Sequence, residues 1–237
     1  MPDALFTITP PSRYLSLLSK AEFDDLAPLF TLIHCEGKQV LGERGAPIEF
    51  VYFPCGAVLS TLALMQGGQA VEVGTIGDEG FHGVEALIGG THWMGLSLCQ
   101  VSGPVLRMGV ADFQRAVQPG TALHRIAYQY LRVFIASMAQ SVACNRLHTI
   151  EERFARWVLM THDRVHSDEF DLTQEFLADM LGVHRPSVSL VAGAFQQAGF
   201  IKYSRGAMTI LNREGLEEAS CECYASNAAQ FARLMAQ

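Results

Sequence analysis

The sequence predicts an α+β protein with three successive regions, and three observations carry that prediction. Glycines recur at short intervals through the first half, with β-type apolar runs between them. A stretch from Thr121 to Arg146 then has neither Gly nor Pro. Finally, two short helical patterns meet at Gly182 and lead into two short β-type runs. Regions with boundaries at 1–118, 119–147 and 148–237 follow.

In the first region the runs "FVYF", "AVLSTLALM", "AVEVGTI" and "LSLCQV" alternate with turn residues, and Gln66-Gly67-Gly68-Gln69 reads as a hairpin turn. Many short strands with regular turns predict an antiparallel sandwich or barrel. A helical segment from Tyr14 to Leu29 precedes it. The longest uncharged run, Ala86 to Leu106, contains Gly89, Gly90, Gly95, Gly103 and Pro104, so it predicts two buried strands instead of a membrane span.

After Pro119-Gly120 comes one helix of about 40 Å. Leu123, Ala127, Tyr130, Phe134 and Ser141 cluster on its wheel, with Met138 among their flanking neighbours. The apolar arc is wider than the stripe a surface helix needs. One side can pack on the sheet; the other needs cover, most simply the same helix of a second subunit. Leu123, Ala127, Tyr130, Phe134, Met138 and Ser141 are the expected dimer interface, the alternative being cover by the C-terminal region.

The third region opens with the amphipathic pattern "TIEERFARWVLMTHDRV" and an acidic loop, His166 to Asp171. Thr173 is a good N-cap for a helix from Gln174 to Leu181, and Leu172 can staple onto Leu177. Gly182 suits the left-handed end of that helix. A second helix spans 184–198 with Arg185 and Pro186 in its first turn. Val188, Val191, Ala192 and Phe195 form its inward face. Two strands joined at Arg205-Gly206 complete a wing. From Val183 to Arg213 there are four basic residues and no acid, in a chain whose formal charge is −7. Local positive charge on an acidic body suits phosphates while limiting non-specific adhesion. The arrangement predicts a second helix in the DNA major groove. His184, Arg185, Pro186, Ser187, Ser189 and Leu190 lie on or near the reading surface. Thr173, Lys202, Ser204 and Arg205 suit the phosphates.

These segments carry a family resemblance. "LTQEFLADMLGVHRPSVSLVAGAFQQAGFIKYSRGAMTIL" resembles the C-terminal domain of Crp/Fnr-type bacterial transcription regulators. "FVYFPCGAVLSTLALMQGGQAVEVGTIGDEGFHGVEALIG" resembles their cyclic-nucleotide-binding β-roll, and Thr121–Arg146 their dimerisation helix. The resemblance implies a homodimer on a roughly palindromic operator, with double-stranded DNA and RNA polymerase as partners. Two departures qualify it. Relatives that bind cyclic AMP hold its phosphate with an Arg-Ser pair, yet this chain has no Arg or Lys between Arg44 and Arg107; a buried phosphate there lacks a cation. In the recognition helix only Arg185 matches the family pattern, Pro186 and Leu190 replacing its Glu and second Arg, so the familiar operators are not implied.

The effector is therefore not expected to be cyclic AMP. Glu79, Phe81, His82, Glu85 and Trp93 are expected to line a pocket for an uncharged or cationic ligand. His82 and His92 lie where some relatives hold haem, although a His beside a loop is more often only hydrogen-bonded. Cys55 or Cys99 is a candidate redox sensor. A sheet domain kept only as a scaffold, or a ligand-binding module acting through protein partners, are the competing readings. No metal site is expected: the six cysteines are scattered, and Cys221 and Cys223, placed on one helix, point about 200° apart. No nucleophile–base pair or phosphate loop appears, so an enzyme is not expected. Nor does the N-terminus show a secretory pattern, and a cytoplasmic protein is expected.

Overall fold

A computed structural model describes residues 12–236; residues 1–11, which include part of the N-terminal stretch read for a secretory signal, lie outside it. The segment from Tyr14 to Leu29 is two single 3₁₀ turns around a helix α1 (Lys20–Leu26), not one helix. Ser19 caps α1 through a reciprocal capping box with Glu22. There follow β1 (Phe30–Cys35), β2 (Val40–Gly42), β3 (Phe50–Pro54), β4 (Val58–Leu64) and β5 (Ala70–Ile76). A short helix α2 (Val84–Leu87) separates them from β6 (Leu96–Val101) and β7 (Gly103–Gly109). The helices α3 (Val110–Ala116), α4 (Ala122–Leu147) and α5 (Ile150–Val165) come next. The chain ends with β8 (Glu169–Asp171), α6 (Gln174–Leu181), α7 (Arg185–Gln197), β9 (Ile201–Ser204), β10 (Ala207–Ile210), α8 (Arg213–Ala219) and α9 (Cys223–Met235).

The N-terminal strands form two antiparallel sheets, ordered β1-β7-β3 and β2-β6-β4-β5. Thus the two strands of the uncharged run are both present but do not pair with each other. The chain changes sheets at Ser102-Gly103, where a Cβ on Gly103 would stand 2.6 Å from the backbone nitrogen of Ala57. Only glycine fits that corner. Between the sheets, Tyr14, Phe53, Phe81, Phe113 and Tyr130 pack ring against ring with centroids 5.1–6.4 Å apart. All five are fully buried. These contacts fill the interior of the β-roll with the chain's own aromatic groups.

The long helix begins at its Thr121 cap and ends one residue beyond the predicted limit. Its inward face corrects the expected dimer interface. Leu123, Ala127, Tyr130 and Phe134 are at most 5% exposed and belong to the β-roll core. Met138 packs on the same core, and Ser141 accepts a hydrogen bond from Arg156 on α5 at 3.3 Å. A second flank of α4 is covered by α9, along a cleft bordered by Val133, Ala136 and Leu234. The arc was so wide because one helix meets the β-roll, α5 and α9 within its own chain. What it leaves to solvent is a third stripe: Tyr128 (41% exposed), Ile135 (56%) and Val142 (71%), seven residues apart.

Two further expectations are corrected in the C-terminal region. Residues 169–171 of the supposed acidic loop form β8, which pairs with β10 and makes the wing a three-stranded sheet. The acids are exposed while Phe170 between them is buried, a period-2 pattern too short to stand out in sequence. The C-terminal segment from Arg213 to Met235, whose sequence suggests one helix carrying both Cys221 and Cys223, is broken at Ser220, whose extended backbone separates α8 from α9. Consequently α8 packs on α5, while α9 packs on α4 as well as α5.

The winged region is docked on the β-roll. Val58, Leu62, Leu98 and Val101 from the four-stranded sheet share a core with Phe154, Trp157 and Val158 of α5 and Leu177, Met180 and Leu181 of α6. A polar seam crosses this junction. The Glu72 carboxylate accepts from Ser60 Oγ at 2.6 Å and Trp157 Nε1 at 2.7 Å, and Gln100 donates to Thr161 Oγ1 at 2.8 Å. Burial raises the Glu72 pKa. Arg164 pairs with Glu79 at 2.7 Å, both side chains almost wholly buried.

Candidate nucleic-acid interface

The two helices are set by local signals. Thr173 Oγ1 accepts from the Phe176 amide at 3.2 Å, and Leu172 and Leu177 are buried in one cluster, as a hydrophobic staple requires. Gly182 ends α6 at φ +63°, and its amide returns to the Ala178 and Asp179 carbonyls. The helix α7 starts from His184 as N-cap with Pro in the first turn. Val188, Val191, Ala192 and Phe195 are buried, as the periodicity predicts.

The opposite side of α7 faces solvent. Arg185, Pro186 and Ser189 are exposed, and Leu190 is 77% exposed. Ser187 is partly covered. Ala194 and Gln197 are exposed further along the helix and were not singled out from the sequence. Ser189 Oγ donates to Gln174 Oε1 at 2.7 Å, tying the first turn of α6 to the middle of α7. Gln174 was also missed; its role depends on a helix–helix distance that no local pattern encodes.

The wing turn closes one side of this surface. Arg205 and Gly206 both have positive φ, +53° and +85°, the geometry of a two-residue hairpin turn. The Leu172 amide donates to the Gly206 carbonyl at 2.5 Å, and Tyr203 OH donates to the Leu172 carbonyl at 2.7 Å. These bonds hold the wing against the entry to α6. Thr173, Gln174, Arg185, Ser204 and Arg205 thereby border one cleft of about 360 Å³. Burial pushes the Tyr203 hydroxyl up to about 12, with the nearby Arg185 guanidinium acting against it. Lys202 is exposed on the same face of β9 as Ser204, in an adjoining groove with Glu169 and Asp171 of β8. The structure thus brings Thr173, Arg185, Ser204 and Arg205 to one cleft, with Lys202 in the adjoining groove that Ser204 also borders.

The expected effector residues are not arranged as an open pocket. Glu79, Phe81, His82, Glu85 and Trp93 are each less than 5% exposed. The His82 ring stacks on Trp93 at 5.1 Å, and burial lowers its pKa to about 4. Glu79 is held by Arg164, and both border a cleft against α5 and α9 that His82 and Trp93 do not line. Signals for loop positions cannot reveal that neighbouring rings fill the space. The candidate redox thiols are likewise inward. Cys55 and Cys99 are pushed up by burial to about 11 and about 12, so both remain thiols.

One constellation overturns its expectation. Cys221 and Cys223 do not share a helix, because Cys221 lies before the first residue of α9. Both turn toward Cys144 and His148 at the end of α4, and the four donor atoms lie within 4.8 Å of one another. The missed signal was the Cys144-x₃-His148 spacing, which puts two ligand types one turn apart at a helix end.

Residues 152–219 match the family model described as the Crp-like helix-turn-helix domain. No curated protein sequence matches the chain. Solved structures show the fold. The Bradyrhizobium japonicum protein FixK2 superposes with a TM-score of 0.68 at 16% identity, over 81% of this chain and 98% of that one. The Crp-family transcriptional regulator TTHB099 from Thermus thermophilus gives 0.67 at 21% identity, over 79% and 96%. The regulator CLP of Xanthomonas campestris, described as responsive to cyclic di-GMP, gives 0.64 at 13% identity, over 81% and 99%.

Proposed function

We propose that this chain, which carries a Crp-like helix-turn-helix domain within the fold of Crp/Fnr regulators, is a homodimeric, sequence-specific DNA-binding transcription regulator. The observation that carries the reading is the free outward face of α7, bordered at its first turn by the wing Arg205 and the Thr173 cap. Arg185 stands where a guanidinium can meet a guanine edge in a bidentate way. Leu190 offers an apolar contact for a thymine methyl. Ser189, with its hydroxyl already oriented by Gln174, is short enough to let the helix approach closely. Thr173, Ser204 and Arg205 serve phosphates, as do the amides at the start of α6 and α7.

The second subunit pairs along α4 through the exposed stripe of Tyr128, Ile135 and Val142. Their seven-residue spacing is the repeat that keeps a seam facing its partner. Two recognition helices then address half-sites about one helical turn apart. RNA polymerase is the further partner that such a regulator engages. The packed β-roll interior and the run without Arg or Lys between Arg44 and Arg107 speak against cyclic AMP as the effector. His82, buried against Trp93, is not placed to ligate haem.

Selection from random duplex DNA with the purified chain tests this reading. Enrichment of a two-fold symmetric motif is the expected result. Affinity for that motif should fall by about 10³–10⁵ between 50 and 200 mM salt if six to ten phosphates are contacted. Binding without a motif, or without salt dependence, would replace the reading with a β-roll module that acts through protein partners.

A further inference from the structure

The end of α4 and the start of α9 meet in a cluster that DNA binding does not use. Cys144 lies in the last turn of α4, and His148 is its C-cap. Cys221 occupies the link between α8 and α9, and Cys223 is the first residue of α9. The three cysteines form a small buried cluster of their own. Cys144 Sγ and Cys221 Sγ are 3.5 Å apart, and Cys223 Sγ is 3.6 Å from His148 Nδ1. We propose that Cys144, His148, Cys221 and Cys223 form a tetrahedral site for a divalent zinc ion.

Three features point to a metal instead of three cysteines used as small hydrophobes. The first is spacing. Zinc–sulfur bonds of about 2.3 Å and zinc–nitrogen bonds of about 2.0–2.1 Å in a tetrahedron put ligand atoms about 3.6–3.8 Å apart. The two close pairs already have that separation within about 0.3 Å, and all four atoms lie within 4.8 Å of one another, at most about 1 Å beyond it. The second is the orientation of the histidine. His148 Nδ1 faces the sulfurs, while Nε2 lies 3.2 Å from a Glu222 carboxylate oxygen. A carboxylate on the far nitrogen fixes the tautomer and makes the near nitrogen the better ligand, the usual support of a zinc-bound histidine. The third is a donor aimed at sulfur: Gln140 Nε2 lies 3.0 Å from Cys223 Sγ. An amide N–H suits a thiolate better than a thiol, because the anion is the stronger acceptor.

Binding converts three thiols and a neutral imidazole into three thiolates and a metal-bound imidazole, with three protons released to solvent. No oxidant is involved. A sulfur-rich tetrahedral set with one imidazole selects zinc over the hard cations calcium and magnesium. The position gives the site a purpose. His148 is followed directly by Thr149, the N-cap of α5, so the metal sits on the two-residue joint between α4 and α5. It would fasten α9 to that joint and fix the angle at which the winged region leaves the long helix.

The test is cobalt titration of the full chain, stripped of metal by a chelator under acid and kept reduced. One Co²⁺ per chain should enter, with thiolate charge-transfer absorption and strong tetrahedral visible bands, and Zn²⁺ should displace it. X-ray absorption of the zinc form should show three sulfurs and one nitrogen. Glu222→Gln, at an exposed side chain outside the core, should weaken the site by about 10–100-fold. Cys55→Ser should leave uptake unchanged. Failure of the reduced wild-type chain to bind Co²⁺ or Zn²⁺ stoichiometrically would overturn the proposal. So would a first shell of oxygens, or a metal-free chain whose Cys144 and Cys221 are joined as a disulfide and which takes up no metal after reduction.

Discussion

Acid should weaken this protein through one histidine. His82 is fully buried, its Nε2 has no hydrogen-bond partner, and its ring lies against Trp93. Burial lowers its pKa from the ordinary 6.5 to about 4. The unfolded chain therefore takes up a proton below about pH 6.5 that the folded chain refuses until about pH 4. Stability from the neutral ring is complete above the unfolded value and is lost as pH falls through this window. Each pKa unit is worth about 1.4 kcal/mol, so the full loss is about 3 kcal/mol. That is a large share of a typical domain's stability of about 5–15 kcal/mol. His82→Phe keeps a flat ring against Trp93 and cannot titrate. Urea unfolding of both chains between pH 7 and pH 4 isolates the effect, because every other group cancels in the difference. The wild type should lose about 3 kcal/mol relative to the variant. Parallel stability curves would refute the argument and mean that water or a polar partner reaches the ring.

Other perturbations have equally specific outcomes. Arg164→Met leaves the Glu79 carboxylate buried with the Gly77 amide at 3.3 Å and the Arg13 guanidinium at 4.0 Å, and should cost about 3–5 kcal/mol in chemical denaturation. Ile135→Glu with Val142→Glu should yield a folded monomer in sedimentation; an unchanged dimer would move the subunit contact off α4. Arg185→Ala should cost about 1–3 kcal/mol on the best operator and relax one base position in a repeated selection. Equal weakening on all sequences would reduce Arg185 to a phosphate contact.

The winged region was the most legible part of the sequence, because its signals are local. A cap at Thr173, a left-handed glycine at 182, an early proline at 186 and the positive-φ pair Arg205-Gly206 each fix a few residues without reference to anything distant. Hence the helix limits and the buried face of α7 were readable. The dimer face failed for the opposite reason. Periodicity shows that the arc of α4 is wide, but not that α9, far along the chain, claims one flank. The expected effector pocket failed likewise. The His82 and Trp93 rings do meet, yet whether a domain interior encloses space depends on rings such as Tyr14 and Tyr130 arriving from opposite ends of the domain. The cysteine cluster stayed hidden because it joins residues 144 and 221 across a helix break that composition does not announce.

The shared core beneath the winged region bears on how such a chain can change over evolutionary time. A DNA-reading unit that touches its neighbour only through a tether can be exchanged by recombination. Here the sheet presents Val58, Leu62, Leu98 and Val101 to α5 and α6, with Glu72 between them awaiting the indole of Trp157. A fragment ending at the joint would display that apolar face to water, and a transplanted reader would have to supply a matching indole and leucines. A change of reader would therefore require matching changes in both halves, whereas point substitutions on the open side of α7, at the exposed Leu190 and Ala194, leave the shared core untouched.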